Sequence, residues 1–264
     1  SKWKFLGILT FLVPVLIMTY YAVIGGWITK YAVTYITGQA KAAAGDDYFT
    51  SFITSSTSPV VYALIFMGVT AFIVYNGVEG GIERVSKWMM PILLIIVVII
   101  AGYSLTLHHV DADGQVRTGM EGFLYYIKPD LEGITLRRFL QILLDAMSQM
   151  FFSLSVSMGI MITYGSYVKP EVDLNRAVNQ IEIFDTGVAL LAGAMIIPAV
   201  YVFSGTEGMS AGPSLMFISL PKVFAAMGKA GVFMGILFFV AAIFATLTSC
   251  ISVLESITAN CMEI

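Results

Sequence analysis

Charged residues are scarce in this chain: only 12% of its 264 residues are Asp, Glu, Lys or Arg, whereas 58% are hydrophobic. A soluble domain of this length needs a charged exterior, and so few charges cannot supply one. The net charge is −3 and no basic tail or stripe is present, which argues against nucleic acid as a partner. With a mean hydropathy of +0.87, the sequence indicates a protein whose main solvent is lipid.

Cysteine and histidine are also rare, with two residues of each. Cys250 and Cys261 fall in one predicted helix, roughly 16 Å apart at about 1.5 Å per residue, which is too far for a disulfide. His108 and His109 are adjacent in a predicted loop. The sequence therefore predicts no Cys/His metal cluster, and the cysteines are expected to act as small apolar fillers.

Long apolar runs are what the sequence does contain. Six stretches reach about 20 residues, the length that crosses a bilayer as a helix. They lie at residues 5–36, 58–76, 87–106, 138–165, 180–203 and 230–257. None alternates in polarity as the strands of a membrane β-barrel do. The sequence predicts an all-α membrane protein, with residues 1–264 forming a single transmembrane domain.

The ends and the connections give the expected organisation. The chain opens without Met, shows no signal peptide and stops just after an apolar helix, so we expect a fragment of a longer protein. Two connections, residues 77–87 and 169–176, are short and charged, and they share one side of the membrane with the N-terminus. Three longer connections lie on the other side. Lys and Arg number six on the first side and eight on the second, which leaves the orientation open.

The fourth stretch carries polar residues at mid-membrane depth, namely Ser153, Ser155, Ser157 and Gly159. Gly159 lowers helix preference by about 1 kcal/mol relative to Ala, and Ser side chains can replace lost backbone hydrogen bonds. The pattern predicts a break at residues 153–159, where carbonyls and hydroxyls suit a small hard cation or a polar group of a substrate. The alternative is that the serines bond to the preceding turn or pack against a neighbouring helix.

A second polar cluster lies in the last stretch, where helical spacing puts Ala245, Thr248 and Ser249 on one face. Their oxygens are suited to Na⁺, although the same residues also fit a packing seam between helices. Asp185 and Glu255 are carboxylates within apolar stretches, and such groups normally face a partner, an ion or a cavity. In the first stretch, Tyr21 lies well inside its span, where its hydroxyl needs a hydrogen-bond partner or offers itself to a ligand.

Taken in order, these motifs resemble the sodium-coupled neurotransmitter symporter family, in its bacterial branch. The resemblance covers essentially the whole chain. It rests on the Tyr20-Tyr21 pair, the loop Gly81 to Lys87 followed by Met90-Pro91, the segment Gln149 to Tyr167, the segment Gly212 to Pro221, and Leu247-Thr248-Ser249.

The resemblance implies a partial leucine-transporter-type inverted-repeat fold, with the six stretches as its third to eighth helices and a discontinuous helix in the fourth span. It also implies a multi-pass protein of the bacterial plasma membrane. The partners would be lipid, a small amino acid and the missing helices of the full-length chain. The first helix of the family supplies much of the binding site, so each site is expected to be only partly present here.

Site residues are also implied by the resemblance. For the substrate they are Tyr21, Phe152, Ser153, Ser155, Met158, Val253 and Ile17. Ser153 and Asp185 would hold a first Na⁺, and Ala245, Thr248 and Ser249 a second. Tyr167 and Phe152 would belong to the gates. Chloride is not expected to be required, because the Asp185 carboxylate would supply a fixed negative charge near the first Na⁺.

The predicted function is sodium-coupled symport of a neutral, hydrophobic amino acid by alternating access, with no enzymatic chemistry. One alternative is a proton-coupled amino-acid transporter of the same fold, with Asp185 or Glu255 carrying the proton. Another is a membrane subunit that transports nothing, in which the polar runs are packing seams.

Overall fold

The computed structural model of the chain describes residues 4–110, 116–128, 133–206, 209 and 212–262. The parts of the long predicted connections at residues 111–115, 129–132, 207–208 and 210–211 lie outside the described residues. The long helices are α1 (Lys4–Ile36), α4 (Ser58–Tyr75), α5 (Arg84–Leu105), α7 (Leu136–Ser153), α9 (Leu174–Ser204) and α11 (Lys229–Met262). The shorter ones are α2 (Ala40–Ala43), α3 (Tyr48–Thr54), α6 (Gly119–Ile127), α8 (Ile160–Tyr167) and α10 (Leu220–Ala226).

Five of the described helices are long and apolar enough to cross a membrane: α1, α4, α5, α9 and α11. The fourth apolar stretch of the sequence, residues 138–165, is divided between α7 and α8, so it does not form one continuous helix. The discontinuous helix predicted in the fourth span is thereby confirmed. Its two halves are joined by the non-helical residues 154–159.

Helix α11 packs against α1, α4, α5, α8 and α10, and α1 packs against α4 as well. An aromatic core fills the half of the bundle next to α10, where Tyr31, Tyr35, Phe217 and Phe239 are almost fully buried. The Tyr31 hydroxyl donates to the carbonyl oxygen of Phe217 at 2.8 Å, which satisfies a polar group that burial would otherwise destabilise. A second apolar cluster joins α1, α4, α8 and α11 near the interruption.

The connection that follows α5 contains more structure than the sequence predicts. Strands β1 (His108–Val110) and β2 (Val116–Thr118) pair in antiparallel register, and α6 follows directly. Helix α6 begins with a capping box, in which Thr118 accepts from the Glu121 backbone and Glu121 accepts from that of Thr118. Alternation over only three residues is too short to separate a strand from a loop in the sequence, so the hairpin was missed.

The short charged connection before α5 is also partly helical. Residues Val78–Glu83 form a π-helical segment that runs straight into α5. A side chain on Gly81 would collide with the carbonyl oxygen of Ile73. Glycine at position 81 therefore lets this wide turn lie against the end of α4. The third span consequently begins before residue 87, where the sequence predicts its start.

On the opposite side from the short charged connections, an ion pair links two of the longer connections. Lys222 of α10 forms a 2.5 Å ion pair with Asp46, which lies between α2 and α3. The neighbouring Lys222 ammonium lowers the pKa of the Asp46 carboxyl. Both side chains are exposed, so the pair orients the two connections and adds little stability.

Close packing between α1 and α4 depends on Gly26. A Cβ at this position would approach the backbone of Ala63 to 2.6 Å, whereas a Cβ on Gly68 of α4 would meet nothing within 4 Å. We predict that Gly26→Ala lowers the stability of the full-length protein by about 1–3 kcal/mol, because the helices must separate. Thermal unfolding in detergent measures the change. Gly68→Ala is the matched control and should leave stability unchanged or slightly raised; equal effects of the two variants would contradict this packing.

The interruption holds Ser155 and Ser157 at φ 55° and 66°, in the left-handed region that favours glycine. A non-glycine residue in this conformation lowers the stability of the fold by roughly 1–2 kcal/mol, and replacing it with glycine removes part of that loss. We predict that Ser157→Gly stabilises the full-length protein by up to about 1 kcal/mol in thermal unfolding. The same substitution at Ser166, inside α8, should instead destabilise by about 0.5 kcal/mol or more, since glycine weakens a helix. Effects of the same sign at both positions would refute the assigned backbone geometry.

Candidate functional site

The interruption between α7 and α8 leaves backbone groups unpaired. The last hydrogen bonds of α7 run from the Leu154 amide to the carbonyl of Met150 and from the Val156 amide to that of Phe151. Among the described residues, no hydrogen bond reaches the carbonyl oxygens of residues 154–158. Next to it, Gly159 at φ 75° lies close to the backbone of Thr10 and the hydroxyl of Ser256. Unpaired carbonyls at this depth are the groups that coordinate small cations in broken membrane helices.

The two residues predicted for the first Na⁺ are in direct contact. Ser153, the last residue of α7, donates its hydroxyl to Oδ1 of Asp185 on α9 at 2.5 Å. Asp185 is half-buried, and Ser153 is exposed on the open face of α7. A carboxylate and a hydroxyl therefore converge beside the end of the interrupted helix, which is the type of oxygen cluster that a hard cation prefers.

The residues predicted for the second Na⁺ also lie together, on one face of α11. The carbonyl oxygen of Ala245 accepts from the hydroxyl of Thr248 at 3.0 Å and from that of Ser249 at 3.1 Å. Both hydroxyls donate their hydrogen bonds to the preceding turn of the helix, as Ser and Thr side chains do in apolar helices. Their lone pairs remain available, so the three oxygens could turn together to a cation.

Four of the residues predicted for the substrate belong to one apolar cluster. Ile17 and Val253 are buried in it, and Tyr21 and Met158 pack against it. The Tyr21 hydroxyl also interacts with the side chain of Ser249. The tyrosine therefore lies next to a residue predicted for the second Na⁺. Helices α1, α4, α8 and α11 meet at this cluster, where the tyrosines Tyr21 and Tyr164 lie beside an apolar wall.

The structure does not bring Phe152 and Ser155 into that cluster. Phe152 is 41% exposed near the end of α7, and Ser155 is half-buried within the interruption. Not one residue of α7 is buried, although much of its surface is apolar. The part of the site that α7 contributes is thus open on one side in this chain.

Helix α8 is held against α11 by a row of polar contacts. Tyr167, predicted as a gate residue, donates to Oε1 of the buried Glu255 at 2.7 Å. One turn away the Tyr164 hydroxyl donates to that of Ser252 at 2.8 Å. The hydroxyls of Thr163 and Ser256 complete the row at 3.4 Å. This row joins the half-helix beyond the interruption to the helix that carries Thr248 and Ser249.

Sequence reasoning missed Thr163, Tyr164 and Ser256. The signal was present, because Thr163, Tyr164 and Tyr167 fall on one face of a helix, and so do Ser252, Glu255 and Ser256. What the spacing did not reveal is that these two faces meet.

Comparison with known proteins identifies the family of this chain. The family model described as "Sodium:neurotransmitter symporter family" matches residues 49–264. An "Uncharacterized sodium-dependent transporter" of Haemophilus influenzae is 35% identical over 99% of the chain, and "Uncharacterized sodium-dependent transporter YhdH" of Bacillus subtilis is 34% identical over 98%. The chain spans 55% of the length of each of these relatives.

A solved structure shows the same fold. MhsT, determined in complex with L-phenylalanine, aligns with a TM-score of 0.83 and 36% identity over 100% of this chain and 57% of its own. The predicted leucine-transporter-type fold is therefore confirmed for the part of it that the chain contains. The roles of individual site residues stay predictions. The chain is part of a multi-pass membrane protein and belongs to the sodium:neurotransmitter symporter family.

Proposed function

We propose that the full-length protein is a sodium-coupled symporter that carries a neutral, hydrophobic amino acid across the bacterial plasma membrane by alternating access. The observation that carries the proposal is the contact between Ser153 and Asp185 at the end of an interrupted helix. Unpaired carbonyl oxygens lie directly beside it, at residues 154–158. A carboxylate at this depth needs a positive partner, and a sodium ion bound by these oxygens would supply one.

A second sodium site is proposed at Ala245, Thr248 and Ser249. Both hydroxyls already lie within hydrogen-bond distance of the Ala245 carbonyl oxygen, so little rearrangement is needed for the three oxygens to face a cation. Neutral oxygen ligands suit Na⁺, which lacks the double charge that attracts several carboxylates. Each of the two sites would be completed by groups from the rest of the full-length chain.

The proposed substrate follows from the lining near these oxygens. Ile17, Met158 and Val253 form an apolar wall, which favours a hydrophobic side chain. The hydroxyl of Tyr21 is suited to donate to the substrate carboxylate, and Phe152 would close over the substrate once the missing helices cover α7. The related structure of MhsT was determined in complex with L-phenylalanine, an amino acid of the same chemical class.

Coupling would arise because sodium and substrate stabilise the same arrangement of helices. Ser153 and Asp185 join α7 to α9, and the row from Thr163 to Tyr167 joins α8 to α11. Sodium ions bound at the two proposed sites favour one position of the two half-helices, and their release allows the other. No bond of the substrate changes, so the proposal includes no enzymatic step. The Asp185 carboxylate also makes a bound chloride unnecessary for charge balance.

Proton coupling is the second candidate, and Glu255 is the observation in its favour. This carboxylate is only 7% exposed and accepts a hydrogen bond from Tyr167. In this candidate function, Glu255 would be the proton carrier.

Uptake of labelled phenylalanine, leucine and tryptophan by the full-length protein in liposomes tests the proposal. We predict accumulation under an inward sodium gradient at equal pH on both sides, and the same accumulation when gluconate replaces chloride. A proton gradient without sodium should drive none. Accumulation driven by protons alone would support the second candidate and contradict the first.

The proposed ligands of the first site give a sharper form of this experiment. Asp185→Asn and Ser153→Ala should each raise the sodium concentration for half-maximal uptake by about tenfold or more, because a charged or hydroxyl ligand is lost. Ser148→Ala is the matched control, since its hydroxyl lies on the same helix α7 and bonds only to the Leu144 carbonyl. An unchanged sodium dependence in Asp185→Asn would remove this residue from the site.

A further inference from the structure

An open cleft of about 740 Å³ lies on the side of the short connections. It is bounded by the start of α5 and by the connection that follows α8. The lining residues are Glu83, Arg84, Lys87, Trp88 and Lys169. Three cations and one carboxylate give the cleft a net positive charge.

The cations of this cleft are available to a ligand. Arg84, Lys87 and Lys169 are all exposed, and among the residues that the structure describes none of them forms an ion pair or a side-chain hydrogen bond. Arg84 and Lys87 lie one turn apart on α5, and Lys169 faces them from another segment. Three cations that converge from two segments without a protein partner form a site for an anion with several oxygens, such as a phosphate group.

The surroundings indicate a lipid rather than a dissolved anion. Trp88 is 71% exposed in the first turns of α5, at the level where Trp side chains mark the membrane surface. Ile92, Ile95 and Ile99 follow it at helical spacing and are 43%, 59% and 46% exposed. The positively charged cleft therefore opens onto an apolar stripe that runs along α5 into the membrane.

We propose that this cleft binds the phosphate group of an anionic phospholipid, with the acyl chains lying along Trp88, Ile92, Ile95 and Ile99. Arg84, Lys87 and Lys169 would contact the phosphate oxygens, and Glu83 would exclude headgroups that carry a second phosphate nearby. A basic pocket at the surface end of a membrane helix attracts anionic lipids of the adjacent leaflet. The proposal concerns a site separate from sodium and substrate, and it stands whether or not the transport proposal is correct.

Binding of short-chain lipids to the full-length protein in detergent tests the proposal. The probes are dioctanoyl phosphatidylglycerol, dioctanoyl phosphatidylcholine and inorganic phosphate, each titrated and counted by native mass spectrometry. We expect phosphatidylglycerol to bind at least tenfold more tightly than either of the others. Arg84→Gln, Lys87→Gln and Lys169→Gln combined should weaken its binding at least tenfold. The matched control combines Lys41→Gln, Lys128→Gln and Lys229→Gln, which remove the same charge from exposed positions on the other side and should leave binding unchanged.

Fluorescence provides a second readout that does not depend on the triple variant being folded. Phosphatidylglycerol with brominated acyl chains should quench the tryptophan emission of the wild-type protein, and Trp88→Phe should remove most of that quenching. Equal binding of phosphatidylcholine, equal binding of inorganic phosphate, or equal loss in the two triple variants would each overturn the proposal. Absence of any lipid binding in the full-length protein would also overturn it, because another segment would then fill the cleft.

Discussion

A helix that stops inside a membrane leaves backbone groups with no water to bond to, and much of this structure is arranged around one such interruption. No group in the described part of the chain donates a hydrogen bond to the carbonyls of residues 154–158, so other protein groups or a ligand must satisfy them. The two half-helices on either side are held by polar contacts: α7 through Ser153 and Asp185, and α8 through its row of hydroxyls and Glu255 on α11. The interrupted helix is thus the place where we propose that ions and substrate bind.

Much of the fold could be predicted because the bilayer imposes a simple rule on sequence. Apolar runs of about 20 residues identified the membrane helices, and the serines around Gly159 identified the interruption, since these residues weaken a helix locally. The hairpin at His108–Val110 and the π-helical segment Val78–Glu83 were missed. Both depend on contacts between separate segments, namely the approach of Gly81 to Ile73 and the pairing of β1 with β2, and such contacts leave no periodic pattern in the sequence.

The site was predictable in its residue types but not in its pairings. Hydroxyls and carboxylates in apolar stretches marked Asp185, Thr248 and Glu255, because such residues are costly in lipid. That Glu255 meets Tyr167 depends on how α8 and α11 rotate against each other, which spacing alone does not determine. Helix α7 has no buried residue, and the chain spans 55% of its relatives' length, so the remainder of the protein is expected to cover this face and complete the site.

The central claim is that the interruption and the face of α11 each hold one sodium ion. Counting bound ²²Na⁺ per molecule of the full-length protein, at saturating sodium and substrate, tests this most directly. The account predicts two ions in the wild-type protein, one in a variant that combines Ser153→Ala with Asp185→Asn, and one in a variant that combines Thr248→Val with Ser249→Ala. Two ions retained in either variant, or none in the wild-type protein, would contradict it.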